Sequence, residues 1–336
     1  MHKFLVIQTA FTGDVVLATA LLEKLHSFYP DAQIDFLLRK GNEGLLQHHP
    51  FITHLWVWDK KTNKQKNLFK IALRIRREHY THVINVHRFA TSGLVTLLSG
   101  APYRAGFDKN PLSFGFTRKI AHVISTPYQA DFVHETTRNQ LLIADITDNV
   151  PAFPRLYPSA EDSRAIKKYQ QEPYICVSPS SVWFTKQFPA EKWAALINDL
   201  PQEYTIFLLG APGDAGLGDK IVTGSVNNKV HNLCGKLGFL QSCALMQQAV
   251  MNYANDSAPL HFASAMNAPV TAVFCSTSPA FGFGPLRENG KVVEIAERLY
   301  CRPCGLHGRK TCPEGHFRCA MDITNDQLLW WTSKTI

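Results

Sequence analysis

A chain of 336 residues is longer than one ordinary hydrophobic core supports and suits two domains of about 150 residues each. Hydrophobic residues make up 45% and charged residues 18%, which excludes wholesale disorder and a small disulfide-stapled scaffold. The net charge of +8 is lopsided: residues 1–160 carry 19 basic and 12 acidic side chains, whereas residues 161–336 carry 16 and 15.

The opening MHKFLVIQTAFTGD is interrupted by Gln8 and ended by Asp14, too short an apolar stretch for a secretion signal, so no export is expected. No run of about 18 apolar residues occurs, so no membrane span is expected. Strand-like runs over Lys3–Gln8, Gln33–Leu38, His54–Trp58 and His82–His87 alternate with helical stretches over Asp14–Phe28 and Asn67–Glu78. Such alternation predicts a parallel sheet covered by helices. The segment DITDNVPAFPRLYPSAED, with Pro151, Pro154 and Pro158, interrupts the pattern and reads as an interdomain linker.

A second series then predicts strands over Tyr174–Ser178, Thr205–Leu209, Val230–Leu233, Met251–Ala254 and Val270–Phe274, with helices over Pro189–Leu200, Phe239–Val250 and Ala258–Met266. The resulting division is residues 1–155, residues 156–322 with a cysteine-rich loop at 301–319, and a closing helix at 323–336. Two doubly wound α/β domains imply a cleft bounded by the carboxyl ends of both sheets.

Three strand-to-helix loops carry residues suited to chemistry there. In the first, Thr12 and Gly13 precede Asp14, which reads either as a helix cap or as a general base for a substrate hydroxyl. In the second, Ser180, Ser181 and Lys186 offer hydroxyls and one cation to a diphosphate, or simply a solvated loop. In the third, Asp256, Ser257, Ala258 and His261 surround a helix amino end, which attracts phosphate or serves as an Asx-type cap.

LVIQTAFTGDVVLATALL, HETTRN at His134–Asn139, SPSSVWFTKQFPAEKW, HNLCG at His231–Gly235 and NDSAPLHFASAMNAPVTAVFCSTSP resemble, in order and spacing, glycosyltransferase family 9. This family includes the ADP-heptose:lipopolysaccharide heptosyltransferases, and the resemblance is greatest to the heptosyltransferase II branch. It implies a GT-B fold of two Rossmann-like domains facing across a cleft, the acceptor on the first and the nucleotide sugar on the second. It also implies inverting transfer without a metal cofactor. Carried across by position, Asp14 becomes the base, with Thr12 and Gly13 beside the acceptor. Ser180, Ser181, Lys186, Asn232, Asp256, Ser257, Ala258 and His261 become donor ligands. Ala258-Pro259 departs from the family's Gly and its neighbour, and Lys236 stands where some relatives carry Glu, so donor choice stays open.

Between Lys60 and Arg77 lie eight basic residues and no acidic one, interleaved with apolar positions. Lys60, Lys61, Lys64, Arg74 and Arg77 form either a solvated face or a docking face. With the resemblance, the docking partners become an anionic lipid-linked saccharide and the inner-membrane surface, reached from the cytoplasm. Cys301, Cys304, Cys312 and Cys319 space as C-x2-C-x7-C-x6-C, which suits a structural Zn²⁺ or reduced thiols. Net basicity also admits nucleic-acid binding, but no finger spacing or RNA-binding motif is present and no nucleic-acid partner is expected. Gly210 to Gly216 lacks the spacing of a dinucleotide fingerprint, which argues against an oxidoreductase.

Overall fold

A computed structural model describes residues 2–286 and 288–332; the last four residues of the expected closing helix lie outside the described residues. The first sheet comprises β1 (Lys3–Ile7), β2 (Gln33–Arg39), β3 (His54–Trp58), β4 (His82–Asn85), β5 (Tyr103–Phe107) and β6 (Arg118–Ile120) in the order β3-β2-β1-β4-β5-β6, every pair parallel. The second comprises β7 (Tyr174–Ser178), β8 (Thr205–Leu208), β9 (Val230–Asn232), β10 (Met251–Asn255), β11 (Val270–Phe274) and β12 (Gly290–Glu294) in the order β12-β11-β10-β7-β8-β9, again all parallel.

Each sheet therefore repeats one topology. The chain winds outward from the first strand on one side, then crosses to the other side with the fourth. In such a sheet the loops leaving the first and fourth strands splay apart, and ligands bind in the crevice between them. Those switch points lie at β1/β4 and at β7/β10. The loops that leave them carry Asp14, Lys186 and Asp256.

The central strands are apolar runs because parallel sheets are covered on both faces. Phe4, Leu5, Val6 and Ile7 of β1 are wholly buried, as is every residue of β7 and β10. In the second core Phe188 stacks edge-on against Trp193 at 5.0 Å, and Trp193 meets Tyr253 of β10 at 6.4 Å. Truncating such an aromatic to Ala typically costs about 3–5 kcal/mol.

The chain divides into two compact units: residues 1–124 with 133–157, and residues 125–132 with 158–336. The stretch read from sequence as a linker is, up to Tyr157, an integral part of the first unit. Lys24 on the Thr12–Phe28 helix reaches the Asp148 carbonyl at 2.6 Å, its carboxylate at 2.7 Å and the Val150 carbonyl at 2.9 Å. Farther on, Arg155 N donates to Thr19 Oγ1 at 3.0 Å and Tyr157 Oη to Glu23 at 2.7 Å. Prolines exclude helix there, yet the extended chain is tied down by its own carbonyls and amides. Residues 125–132 belong with the second unit although they lie inside the stretch assigned to the first domain.

Candidate active site

Asp14 occupies the first turn of the Thr12–Phe28 helix, and its Oδ2 accepts the Phe11 amide at 3.2 Å. It thus caps the helix, but its surroundings do more than a cap requires. Burial, together with the nearby Glu135 carboxylate, raises its pKa to about 6, against the smaller opposing effects of the Phe11 amide and Arg88. A carboxylate poised near neutrality accepts a proton far more readily than an ordinary Asp.

Glu135 was not singled out by the sequence. The sequence marks only its stretch, HETTRN. It opens the Glu135–Gln140 helix, is buried, and receives Arg138 Nε at 2.9 Å and a second guanidinium nitrogen at 2.7 Å. His122 Nε2 lies 3.8 Å away. Burial works to raise the Glu135 pKa, but His122 and Arg138 together outweigh it and hold it at about 2, so this neighbour of Asp14 stays anionic. Arg88, just after β4, contacts His122 at 3.5 Å. Glu135 and Arg88 thus act on Asp14 in opposite directions, and the carboxylate has the larger effect.

Lys60 is drawn to the same strand ends. Its ammonium donates to the Thr9 carbonyl at 2.6 Å and stands 4.7 Å from the Trp58 ring centre. Burial and the cations Arg39 and Lys64 lower its pKa to about 8. Arg39, at the end of β2, lies over the Phe11 ring at 5.0 Å. Thr12 Oγ1 donates to buried Asn42 at 3.1 Å, fixing the start of the helix. Lys61, Lys64, Arg74 and Arg77 are exposed on and before the Lys64–Arg77 helix, whose buried stripe is Leu68, Ile71, Ala72 and Ile75. That i, i+3, i+4, i+7 pattern is what the sequence periodicity predicted.

In the second unit, Lys186 Nζ pairs with Asp256 Oδ2 at 2.7 Å, and Thr277 Oγ1 donates to the same oxygen at 2.6 Å. Asp256 is buried, so it orients the ammonium rather than meeting a phosphate itself. An ammonium has three protons, and one satisfied by Asp256 leaves two for a ligand. Asn255, which the sequence places beside Asp256 without showing what it holds, staples both ends of the loop: its Oδ1 accepts Phe188 N at 3.0 Å and its Nδ2 donates to the Pro179 carbonyl at 2.7 Å. Ser180 and Ser181 lie half-buried on that loop. Ser257 is the N-cap of the Ala258–Ala265 helix without a side-chain cap bond, and Pro259 sits in its first turn. With no side-chain cap and no N–H at Pro259, the remaining free amides of this helix end have the chemistry to take an anion.

Two expected donor residues are placed differently. Asn232 ends β9, the edge strand, two strands away from β7. Its amide is consumed by the Ala215 carbonyl at 2.8 Å, Asp219 at 2.7 Å and the Cys234 amide at 3.0 Å, so it shapes a turn rather than joining Lys186. His261 is buried within its helix, with its ring 6.3 Å from that of Phe283.

Cys301, Cys304, Cys312 and Cys319 are free thiols lining one cavity of about 160 Å³. Among the described residues no group of three or more His, Cys, Asp or Glu is arranged to hold a metal ion, so the zinc expected from the spacing has no ready-made site. Cys301 instead faces His316 Nε2 at 3.9 Å and Cys304 points at the Cys301 carbonyl at 3.7 Å.

Residues 68–316 match the model described as glycosyltransferase family 9 (heptosyltransferase). The chain is 27% identical over 283 residues to lipopolysaccharide heptosyltransferase 3 of Escherichia coli, covering 81% of this chain and 83% of that protein. It is 23% identical over 355 residues to lipopolysaccharide heptosyltransferase 2 of Escherichia coli strain K12, covering 97% and 96%. Its fold superimposes on the structure of the E. coli ADP-heptose lipopolysaccharide heptosyltransferase II with a TM-score of 0.80 at 21% identity, over 99% of this chain and 98% of that one.

Proposed function

The chain belongs to glycosyltransferase family 9, and on that premise we propose that it transfers a heptose from ADP-heptose to the inner core of lipopolysaccharide, with inversion and without a catalytic metal. It is a glycosyltransferase of the GT-B fold; the donor, the acceptor and the residue roles are the proposal. The observation that carries it is the pair of switch-point sites. One holds a carboxylate tuned toward neutrality, and the other holds an oriented lysine beside a helix amino end.

In this reading Asp14 takes the proton of an acceptor hydroxyl as that oxygen attacks the anomeric carbon. The bond from that carbon to the diphosphate oxygen breaks, and the pair of electrons leaves with ADP. Lys186 and the amino end near Ser257 balance the charge that develops on the leaving group. Glu135 keeps the base from being too weak: an anionic neighbour makes Asp14 hold a proton more tightly. Arg39, Lys60 and Lys64 bring positive charge to the same strand ends, which suits an acceptor bearing carboxylates or phosphates.

The Lys64–Arg77 helix is assigned to the membrane surface. Phe69 and Leu73 are 53% and 56% exposed and, one turn apart, share the outer face with Lys66, Lys70 and Arg77. No helix among the described residues is long and apolar enough to cross a membrane. A structural zinc in the cysteine-rich loop is a separate proposal, resting on the spacing of four thiols and their shared cavity, and it requires the thiols to close inward. Elemental analysis of untagged protein tests it: about one zinc per chain supports it, fewer than about one in ten chains rejects it.

The donor assignment is tested by thermal shift and calorimetry with a panel of nucleotide sugars, because a ligand of the folded state stabilises it by mass action. ADP-heptose and ADP should raise the melting temperature, and UDP- and GDP-sugars at equal concentration should not. Preference for a uridine or guanosine sugar overturns the assignment.

A further inference from the structure

The cysteine-rich loop is fastened to the elements that carry the Lys186–Asp256 pair. Arg302, buried, donates to the carbonyls of Phe274, Cys275 and Thr277 at 3.2, 2.8 and 2.6 Å and pairs with Glu294 at 2.5 Å. Cys304 N donates to the Ser276 carbonyl at 2.8 Å. The loop thereby grips the residues after β11, one of which, Thr277, holds Asp256.

A second attachment reaches the lysine itself. Thr185 N donates to the Arg309 carbonyl at 3.1 Å. The Thr185 hydroxyl accepts Arg309 N at 2.7 Å and Ser276 Oγ at 2.9 Å and faces the Arg309 carbonyl at 3.3 Å, which uses its one donor and both acceptor positions. Thr185 is 1% exposed. Gly308, with φ +77°, closes over the same residues: an added Cβ stands 3.0 Å from Thr185 Oγ1 and 3.0 Å from Lys186 Cγ. Only glycine combines that backbone angle with that close an approach.

We propose that the cysteine-rich loop clasps the donor lysine in place, and that Thr185 is the positioning residue through which it acts. This rests on the reading of Lys186 as the diphosphate ligand. Thr185 touches no substrate in this account. Its hydroxyl fixes the turn from which Lys186 projects, while Asp256 fixes the other end of the lysine. The role explains why a loop remote in sequence lies against the donor loop through backbone pairing rather than through loose side-chain contact.

Calorimetry with ADP and with adenosine tests it on the wild type, Thr185→Val, Thr185→Ser, Lys186→Met and the Thr185→Val/Lys186→Met double variant. Thr185→Val should weaken ADP about tenfold, the scale of one misaligned charge-assisted bond, and leave adenosine unchanged because it has no diphosphate. Thr185→Ser should recover ADP binding to within about twofold, since it restores the hydroxyl. In the Lys186→Met background, Thr185→Val should have no further effect on ADP. Unchanged ADP affinity in Thr185→Val, or equal losses for ADP and adenosine, overturns the clasp while a weakened Lys186→Met keeps the donor reading. Unchanged ADP affinity in Lys186→Met overturns both. Should Thr185→Val not fold, Gly308→Ala presses on the same two residues and should show the same loss confined to ADP; wild-type ADP affinity in that variant overturns the proposal.

Discussion

Asp14→Asn is expected to destroy activity and stabilise the protein, and the two effects share one cause. The carboxyl's pKa is about 6 in the folded chain against 3.8 unperturbed, chiefly through burial. At pH 8 its ionised form is therefore disfavoured by folding, and 2.2 pKa units correspond to at most about 3 kcal/mol. Because the side chain is half-buried and the first-turn charge that Asn forfeits favours the helix by about 0.3–1 kcal/mol, the net gain should be roughly 1–2 kcal/mol.

The sign follows from proton linkage. A carboxyl whose folded pKa is raised costs stability above that pKa, and the cost fades as pH falls through 6 toward 3.8. Thermal melts of wild type and variant from pH 8 to pH 4 should show the first unit of Asp14→Asn melting about 2–6 °C higher at pH 8, with the difference vanishing near pH 4. Turnover with ADP-heptose should fall about 10²-fold or more, the scale of lost general-base catalysis. Near-normal turnover, or a stability difference independent of pH, would refute the reasoning.

For the wild type, kcat/KM should decline on the acid side around pH 6, and Glu135→Gln should move that midpoint to lower pH, because removing the anion beside Asp14 makes its carboxyl more acidic; an unmoved acid limb contradicts the charge arrangement. Lys186→Met should weaken ADP by about 1.5–3 kcal/mol, read by calorimetry, and a variant that binds as tightly as wild type removes the lysine from the donor site. Replacing Phe69 and Leu73 by Ser should reduce flotation with anionic liposomes, and reversing Lys66, Lys70 and Arg77 to Glu should abolish it. Equal binding to neutral and anionic vesicles argues against the assigned surface.

The inner strands were readable because a strand covered on both faces must be apolar throughout, and β7 and β11 coincide with their expected ranges; the edge strand β3 does so too, through its bulky run Leu-Trp-Val-Trp. The strands that escaped detection lie at or beside sheet edges. β6 is Arg-Lys-Ile, β5 contains Arg104 and Gly106, and β12 begins Gly-Lys, so none carries the apolar run that marks an inner strand. That Asp14, Lys186 and Asp256 stand where a strand passes into a helix was legible because each follows a strand-like apolar run and precedes a helical one.

What modulates those residues was not legible. Glu135 lies far along the chain from Asp14, and nothing local announces that the two carboxyls meet. Thr185 reads as an ordinary loop threonine until its three hydrogen bonds are seen. The partners of Asn232 were equally hidden: an Asn at a strand end has the chemistry for a ligand, and the structure gives its amide to the Ala215 carbonyl and Asp219.

The most direct test of the account is to incubate the chain with ADP-heptose and an inner-core acceptor in chelator-treated buffer and to determine the product's anomeric configuration by NMR. Acceptor-dependent release of ADP, an anomeric centre opposite to the donor's and no requirement for a divalent cation are the predicted results. Retention of the donor's configuration, or transfer that stops when divalent ions are removed, would contradict a single displacement assisted by Asp14 and Lys186.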